Sequence, residues 1–137
     1  MKLSTVYDCS IVEMQKNQNR AGNITIVESN TSIPFAIKRV YYLYDVPADE
    51  ERGGHGHKEL YQLIVASSGS FTITLYDGKT KRSFHLNNPN QGLLVVPGIW
   101  RELNNFSSGS VCLVLASMAY SEEDYIRLYD DFIRYKL

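Results

Sequence analysis

The sequence is poor in cysteine, has no excess charge of either sign and contains no long apolar run. Its two cysteines form no CxxC pair, and Cys112, inside the apolar run SVCLVLAS, is predicted to be a buried thiol. Lysine and arginine total 14 against 15 acidic residues, so no charge imbalance points to nucleic acid. No apolar stretch approaches the roughly 20 residues that span a bilayer, and no signal peptide is evident. We therefore expect a cytoplasmic protein that binds neither nucleic acid nor membrane.

What remains is the composition of an ordinary globular chain. Apolar residues make up 44% and charged residues 21% of the sequence, which is usual for a globular domain. A chain of 137 residues is long enough to bury a core without disulfides or a structural metal. No internal repeat and no low-complexity linker divides it. We predict a single domain over residues 1–137.

Short β-like runs separated by turn residues dominate the pattern. NITIVES and AIKRVYYLYDV alternate with the period of a strand, and FTITLYDGKTKRSFHL predicts a hairpin about Asp77–Gly78. GLLVVPG and SVCLVLAS are continuous apolar runs, typical of strands that are buried on both faces or lie in a barrel wall. Strands that recur about every ten residues predict an all-β sandwich or barrel.

The C-terminal segment SEEDYIRLYDDFIRYKL departs from this pattern. Its apolar side chains recur at helical spacing: Tyr125, Leu128, Tyr129, Phe132 and Ile133. Ser121 and Asp124, three residues apart, resemble a capping box. We predict a helix over about residues 121–135 that packs against the β core or a partner subunit.

Two of the three histidines stand one residue apart in RGGHGHK, residues 52–58. On an extended strand His55 and His57 point to the same face, because side chains repeat every two residues. That geometry suits metal chelation or a shared catalytic pocket, and a hydrogen-bonded pair without chemistry is the alternative. His85, in KRSFHLNN, has no such neighbour and is interpreted as a surface residue.

The spacing beyond the histidines resembles the two motifs of the cupin superfamily, which implies a small jelly-roll barrel. Gln62 stands where metal-binding cupins carry a glutamate, and Arg101 stands in place of their last histidine. Arginine stays protonated, so it cannot be a metal ligand and it repels a cation. A metal site is therefore not predicted, and the histidines are left free for proton transfer or anion binding.

Four longer blocks, in order along the chain, narrow the resemblance. They are IPFAIKRVYYLYDV, RGGHGHKELYQLIVASSGS, GLLVVPGIWRELNNFSSGSVCLVLAS and YSEEDYIRLYDDF. From about Ile24 to Phe132 the chain resembles the nucleotide-sugar 3,4-ketoisomerases, which are WxcM-like, FdtA- and QdtA-type cupins. Gly56 stands where that family has Ala or Ser between its histidines.

The family resemblance implies a reaction without a metal or another cofactor. It implies that dTDP-4-keto-6-deoxy-D-glucose is isomerised to a dTDP-3-keto-6-deoxyhexose, in deoxysugar biosynthesis for a lipopolysaccharide or S-layer glycan. Catalysis is assigned to His55 as the base, to His57, facing the same pocket, as a relay or stabilising group, and to Tyr41 at the sugar. Arg101 favours the gluco, quinovose-type product over the galacto, fucose-type product.

Substrate binding is assigned to four further side chains. Arg39, which shares a strand face with Tyr41, is expected at the pyrophosphate. Arg52 and Arg101 are expected to clamp phosphate or to donate to the sugar. Gln62 is expected to hydrogen-bond a histidine and so to set its tautomer.

Several alternatives stay open at the level of sequence. Arg39 and Arg52 are also explained by surface ion pairs with acids such as Glu50 and Glu51, and Tyr41 by packing in the core. For the whole protein the rivals are a metal-dependent cupin such as a dioxygenase, a non-catalytic sugar-nucleotide-binding module, and a 3,5-epimerase. A homodimer is expected, because small cupins often dimerise by pairing sheets.

Overall fold

The computed structural model describes residues 1–137 and contains twelve strands and one C-terminal helix. In chain order these are β1 (Ser10–Glu13), β2 (Gln15–Asn19), β3 (Gly22–Ile26), β4 (Arg39–Tyr44), β5 (Arg52–His57), β6 (Gln62–Ser68), β7 (Phe71–Tyr76), β8 (Lys81–Leu86), β9 (Gln91–Val95), β10 (Trp100–Asn104), β11 (Val111–Ala116), β12 (Tyr125–Ile126) and α1 (Tyr129–Lys136). None of its helices has the length and apolar character needed to cross a membrane. The prediction of an all-β fold with a short C-terminal helix is confirmed.

Two five-stranded antiparallel sheets form the barrel. One has the strand order β1-β9-β6-β11-β4 and the other β12-β5-β10-β7-β8, while β2 and β3 form a separate hairpin. The main core contains side chains of both sheets, among them Ile64 and Val114 from the first and Ile73 and Leu103 from the second. Burial of apolar side chains between the sheets is the main stabilising contribution to such a fold.

The hairpin predicted at Asp77–Gly78 joins β7 to β8. Asp77 Oδ1 accepts the backbone N–H groups of Lys79 and Thr80 at 2.9 and 2.8 Å. Gly78 has a φ of +98°, a conformation that costs glycine little because it has no Cβ. The thiol of Cys112 is fully buried, as predicted.

Strand β5 carries the two histidines on one face and packs the C-terminal helix on the other. Gly56 lies against the ring of Phe132, and a Cβ at position 56 would lie 3.2 Å from that ring and 3.3 Å from the Ile99 carbonyl oxygen. Phe132 is fully buried, in a cluster with Trp100 and Ile126. A small residue between the histidines is therefore required by packing.

The prediction of a helix over residues 121–135 is only partly right. Residues Glu122–Asp124 form a single 3₁₀ turn, β12 follows, and α1 begins only at Tyr129. The side chain of Ser121 makes no capping hydrogen bond. The reason is tertiary, since β5 offers free backbone groups at its edge and β12 satisfies them by antiparallel pairing.

Candidate active site

A cavity of about 470 Å³ is lined by residues of both sheets. Six of the seven predicted site residues line it: Arg39, Tyr41, Arg52, His55, Gln62 and Arg101. They come from β4, β5, β6 and β10, so the barrel brings together positions that are up to 62 apart in the chain, as between residues 39 and 101. The size is within the usual range for a small-molecule site.

His55 faces the cavity and is neutral at physiological pH. Burial, and after it the positive charges of Arg101 and Arg127, lower the pKa of His55 to about 3. Arg101 is the cross-strand partner of His55 in the pairing of β10 with β5. The His55 Nε2 atom is buried and has no hydrogen-bond partner. A neutral imidazole with an unused nitrogen is suited to accept a proton from a ligand.

His57 lies behind His55 and does not line the cavity, so the expectation that both histidines face the same pocket is wrong. Its exposed fraction is 1%. The rings of His55 and Tyr125 pack on it with centroid distances of 4.8 and 4.3 Å, and both of those rings line the cavity. Burial, and then Arg101, lower the pKa of His57. The His57 ring is therefore buried behind these two side chains.

A hydrogen-bonded chain connects three of the predicted residues across the cavity. Arg101 Nη1 donates to Gln62 Oε1, and Gln62 Nε2 donates to the Tyr41 hydroxyl at 3.0 Å. The prediction that Gln62 hydrogen-bonds a histidine is therefore wrong. Because the Tyr41 oxygen accepts from Gln62, its own O–H proton stays available to a ligand.

Arg101 is a buried cation without a carboxylate partner. Its exposed fraction is 1%, and its hydrogen bonds go to neutral oxygens, those of Gln62 and of the Ile99 carbonyl. Burial lowers the pKa of Arg101, as expected for a charge removed from water. An uncompensated guanidinium of this kind favours a negative group in the cavity beside it.

Three further arginines line the cavity: Arg39, Arg52 and Arg127. Arg39 lies over the rings of Tyr41 and Tyr120, at 5.3 and 5.6 Å from their centroids. The ion pairs considered for Arg39 and Arg52 are not formed, since the only salt bridges join other residues. Cationic side chains around one opening are suited to bind phosphate.

Sequence reasoning missed three residues of the site, all in the C-terminal segment. Tyr125 and Arg127 line the cavity, with the Arg127 guanidinium 4.1 Å from the centroid of the Tyr125 ring. Asp124 Oδ2 lies 2.9 Å from His57 Nδ1. The signal was present in the block YSEEDYIRLYDDF, which supported the family resemblance and a helix but from which we assigned no site residue.

The protein side chains do not form a metal cage. Nowhere do three or more His, Cys, Asp or Glu side chains converge as they would around an ion. The other two positions of the cupin metal motif hold an amide and a guanidinium, from Gln62 and Arg101, and both line the cavity with His55. This donor set does not fit a divalent cation, because the guanidinium repels it and provides no lone pair.

The chain is similar to known isomerases over nearly its whole length. The family model described as FdtA, WxcM-like, C-terminal matches residues 7–137. The TDP-4-oxo-6-deoxy-alpha-D-glucose-3,4-oxoisomerase of Aneurinibacillus thermoaerophilus is 43% identical over 125 residues, which cover 91% of this chain and 90% of that protein.

Solved structures agree with that similarity. A mutant of the 3,4-ketoisomerase QdtA from Thermoanaerobacterium thermosaccharolyticum, in complex with TDP-4-keto-6-deoxyglucose, superposes with a TM-score of 0.92 at 40% identity, covering 93% of each chain. The TDP-quinovose 3,4-ketoisomerase WlaRB from Campylobacter jejuni superposes with a TM-score of 0.89 at 42% identity, covering 93% of this chain and 98% of that one.

Proposed function

The chain belongs to the FdtA, WxcM-like family and is a sugar-nucleotide 3,4-ketoisomerase, and on this premise we propose that it converts dTDP-4-keto-6-deoxy-D-glucose into a dTDP-3-keto-6-deoxyhexose. The relative in complex with TDP-4-keto-6-deoxyglucose supports this substrate. The observation that carries the proposal is the combination, in one cavity, of the neutral base His55, the Tyr41 hydroxyl and the buried cation Arg101.

The first step is removal of the proton on C3 by His55. The electrons of the C3–H bond form a C3–C4 double bond, and the C4 carbonyl oxygen takes the negative charge of an enediolate. A neutral imidazole is required for this step, and burial keeps His55 neutral. Arg101 stabilises the enediolate oxygen, because its buried charge has no carboxylate to neutralise it.

The second step returns a proton to C4. The hydroxyl proton on O3 moves to O4, the C3 carbonyl forms, and an acid of the enzyme protonates C4. We assign the acid to Tyr41, whose O–H proton is free because its oxygen accepts from Gln62. His55 and Tyr41 then regain their starting protonation states by exchange with solvent, so the substrate loses one proton at C3, gains one at C4 and needs no reductant.

The gluco, quinovose-type product is the one that this arrangement favours. In a gluco sugar the hydrogens on C3 and C4 lie on opposite ring faces, so one base cannot remove the first and add the second. His55 belongs to the sheet that contains β5 and Tyr41 to the sheet that contains β4, which are opposite walls of the cavity. The 42% identity with a TDP-quinovose 3,4-ketoisomerase supports the same product.

The nucleotide end of the substrate is assigned to the arginines at the opening. Arg39 and Arg52 bind the pyrophosphate, and Arg127 assists them from the C-terminal segment. Arginine suits this role because its planar fork donates two hydrogen bonds to one phosphate. The exposed pair of Arg127 with Glu122 contributes little to stability, so Arg127 can exchange this partner for a phosphate.

Incubation with dTDP-4-keto-6-deoxyglucose in D₂O, followed by NMR, tests the reaction. We expect the carbonyl to migrate to C3 and deuterium to appear at C4, with a large coupling between the hydrogens on C4 and C5 in a parallel H₂O reaction, as the gluco product requires. Enzyme treated with EDTA should be equally active, because no step uses a metal. Deuterium at C3 and C5 would indicate a 3,5-epimerase, and binding without exchange would indicate a non-catalytic module. Activity lost with EDTA and restored by a metal would contradict the metal-free reaction.

A homodimer is the assembly that we propose, and the surface of the barrel supports it. Val40, Tyr42 and Tyr44 project outward from the edge strand β4 and are more than half exposed, and the β2–β3 hairpin has no sheet to pair with. Isolated two-stranded hairpins are marginally stable in water, and exposed edges favour pairing with another chain. Light scattering on a size-exclusion column should give twice the chain mass of 15.6 kDa, and a monomer mass would contradict the dimer.

The cytoplasmic location stays a prediction.

A further inference from the structure

Asp124 is a buried carboxylate that the reaction steps above do not use. Only two acidic residues of the chain are buried, Asp77 and Asp124. Asp77 has a structural explanation, since its oxygens accept backbone N–H groups at the β7–β8 turn and at Val6. Asp124 instead contacts a histidine of the motif that carries the proposed base.

Both oxygens of the Asp124 carboxylate are held by residues at the end of β5 and just after it. Oδ2 lies 2.9 Å from His57 Nδ1, and Oδ1 accepts the backbone N–H of Glu59 at 2.7 Å. The backbone reinforces the contact, because the Lys58 N–H donates to the Asp124 carbonyl at 3.0 Å and Tyr125 pairs with His57 in the sheet. Side-chain and backbone hydrogen bonds together therefore fix the position of this carboxylate relative to the His57 ring.

The contact decides which nitrogen of His57 carries the proton. An ionised carboxylate only accepts hydrogen bonds, so Nδ1 must donate. Burial lowers the pKa of His57, so the ring is neutral and its Nε2 has a lone pair instead of a proton. Nε2 is buried without a hydrogen-bond partner, on a ring packed at 4.8 Å against His55.

We propose that Asp124 is a positioning residue of the ketoisomerase: it holds His57 in the Nδ1–H tautomer, so that Nε2 can take up a proton behind His55. This inference rests on the proposed function for its chemistry. A proton received by His55 from C3 passes to His57 Nε2, and the imidazolium that results is stabilised by the carboxylate at Nδ1. From the sequence, Gln62 was expected to set the tautomer of a histidine. We now assign that role to Asp124.

Histidine tautomers can be measured directly, without substrate. In protein labelled with ¹⁵N-histidine only three side chains contribute signals, and two-bond ¹H–¹⁵N spectra separate protonated from unprotonated ring nitrogens. We expect His57 to carry its proton on Nδ1. In Asp124→Asn the amide presents a donor to Nδ1, so the proton should move to Nε2. A wild-type His57 protonated on Nε2 would overturn the proposal.

Kinetics then test whether this tautomer matters for turnover. Asp124→Asn should lower kcat by about 10- to 100-fold, the usual effect of losing a group that orients a functional histidine, with KM nearly unchanged. Glu123→Gln removes the same charge from the exposed neighbouring residue and should have no effect. In a His57→Gln background, Asp124→Asn should cause no further loss of kcat. Full kcat in Asp124→Asn, with the tautomer switched, would also overturn the proposal.

The two measurements separate this inference from the proposed function. A wild-type enzyme that does not turn over the sugar, but has the expected tautomer and the expected switch, would refute the ketoisomerase reaction and not the His57–Asp124 contact. Should Asp124→Asn fail to fold, the wild-type spectrum still decides the tautomer, and His57→Gln with unaltered kcat would refute the relay.

Discussion

Replacement of His55 with asparagine will abolish ketoisomerase turnover and leave dTDP binding nearly intact. The variant removes the base that we propose for the C3 proton, and general base catalysis contributes about 10²- to 10⁴-fold to a rate. Since His55 also begins the relay through His57, we expect a loss at the upper end of that range. Binding is retained because the nucleotide end is assigned to Arg39 and Arg52, which the change leaves in place.

The chain contains its own control for this substitution. His85 lies exposed on β8, outside the cavity, so His85→Asn makes the same chemical change without touching the site. Turnover measured by NMR and dTDP affinity measured by calorimetry should both be normal in His85→Asn. Retained turnover in His55→Asn would refute the assignment of the base, and loss of dTDP binding would move His55 to substrate binding.

The pH dependence of kcat/KM follows from the same residue. An ordinary histidine has a pKa near 6.5, and burial lowers the pKa of His55 to about 3. The base therefore stays neutral as the pH falls through 6.5, and kcat/KM should keep its plateau there and decline only at more acidic pH. A decline centred on 6.5 would mean that His55 is not buried as described.

The lowered pKa of His55 also makes the free energy of unfolding fall as the pH falls. The unfolded chain takes up a proton at His55 near pH 6.5, whereas the folded chain does so only near pH 3. The contribution of this residue to the free energy of unfolding is thus complete above 6.5 and is lost as the pH falls toward 3. Denaturant unfolding of wild type and His55→Asn across this range should show a smaller pH dependence in the variant.

Replacement of Arg101 with methionine will lower kcat strongly and change the free energy of unfolding little. Removing one preorganised donor to a developing oxyanion costs about 10²- to 10³-fold in kcat, and we expect at least that loss. Stability should change little, because relief from burying an unpaired charge offsets the cost of leaving Gln62 Oε1 without its donor, about 1–3 kcal/mol. We expect the free energy of unfolding to change by less than about 2 kcal/mol.

Initial rates and urea unfolding on the same samples measure both effects. Arg134→Met, on the exposed face of α1, removes one arginine outside the site and should leave kcat unchanged. Arg101 would be a structural residue if its loss destabilised the fold strongly, and the oxyanion role would be wrong if kcat were retained. A product with the galacto configuration from the variant would show that Arg101 also controls the face on which C4 is protonated.

The fold was predictable from sequence because its determinants are local. The alternation of apolar and polar residues predicted β3 and β4, continuous apolar runs predicted β9 and β11, and the Asp77–Gly78 dipeptide predicted the hairpin of β7 and β8. Most of the predicted site residues also line one cavity. Arg39 and Tyr41 share a strand face by the two-residue period alone. The spacing of the cupin motifs, known from the family resemblance, indicated the distant positions Gln62 and Arg101.

The partners of those residues were decided only by the tertiary structure. Gln62 was expected to hydrogen-bond a histidine, but in the folded barrel it hydrogen-bonds Arg101 and Tyr41. His57 was expected in the pocket, and packing of Tyr125 and His55 places it behind the cavity wall. A hydrogen bond depends on distance and direction to within a fraction of an ångström, and no sequence spacing specifies those across separate strands.

The C-terminal segment shows this division most clearly. Its helical period predicted α1 correctly but wrongly predicted a helix for the residues before it. Tyr125 and Ile126 instead pair with the free edge of β5 and form a strand. That pairing brings Asp124 to His57, 67 positions away in the chain. The sequence by itself predicted an all-β sandwich or barrel from its local period, and the family resemblance indicated the proposed base and the arginines that line the cavity. Only the folded chain decided which carboxylate meets which histidine, because that contact exists only after β12 has paired with β5.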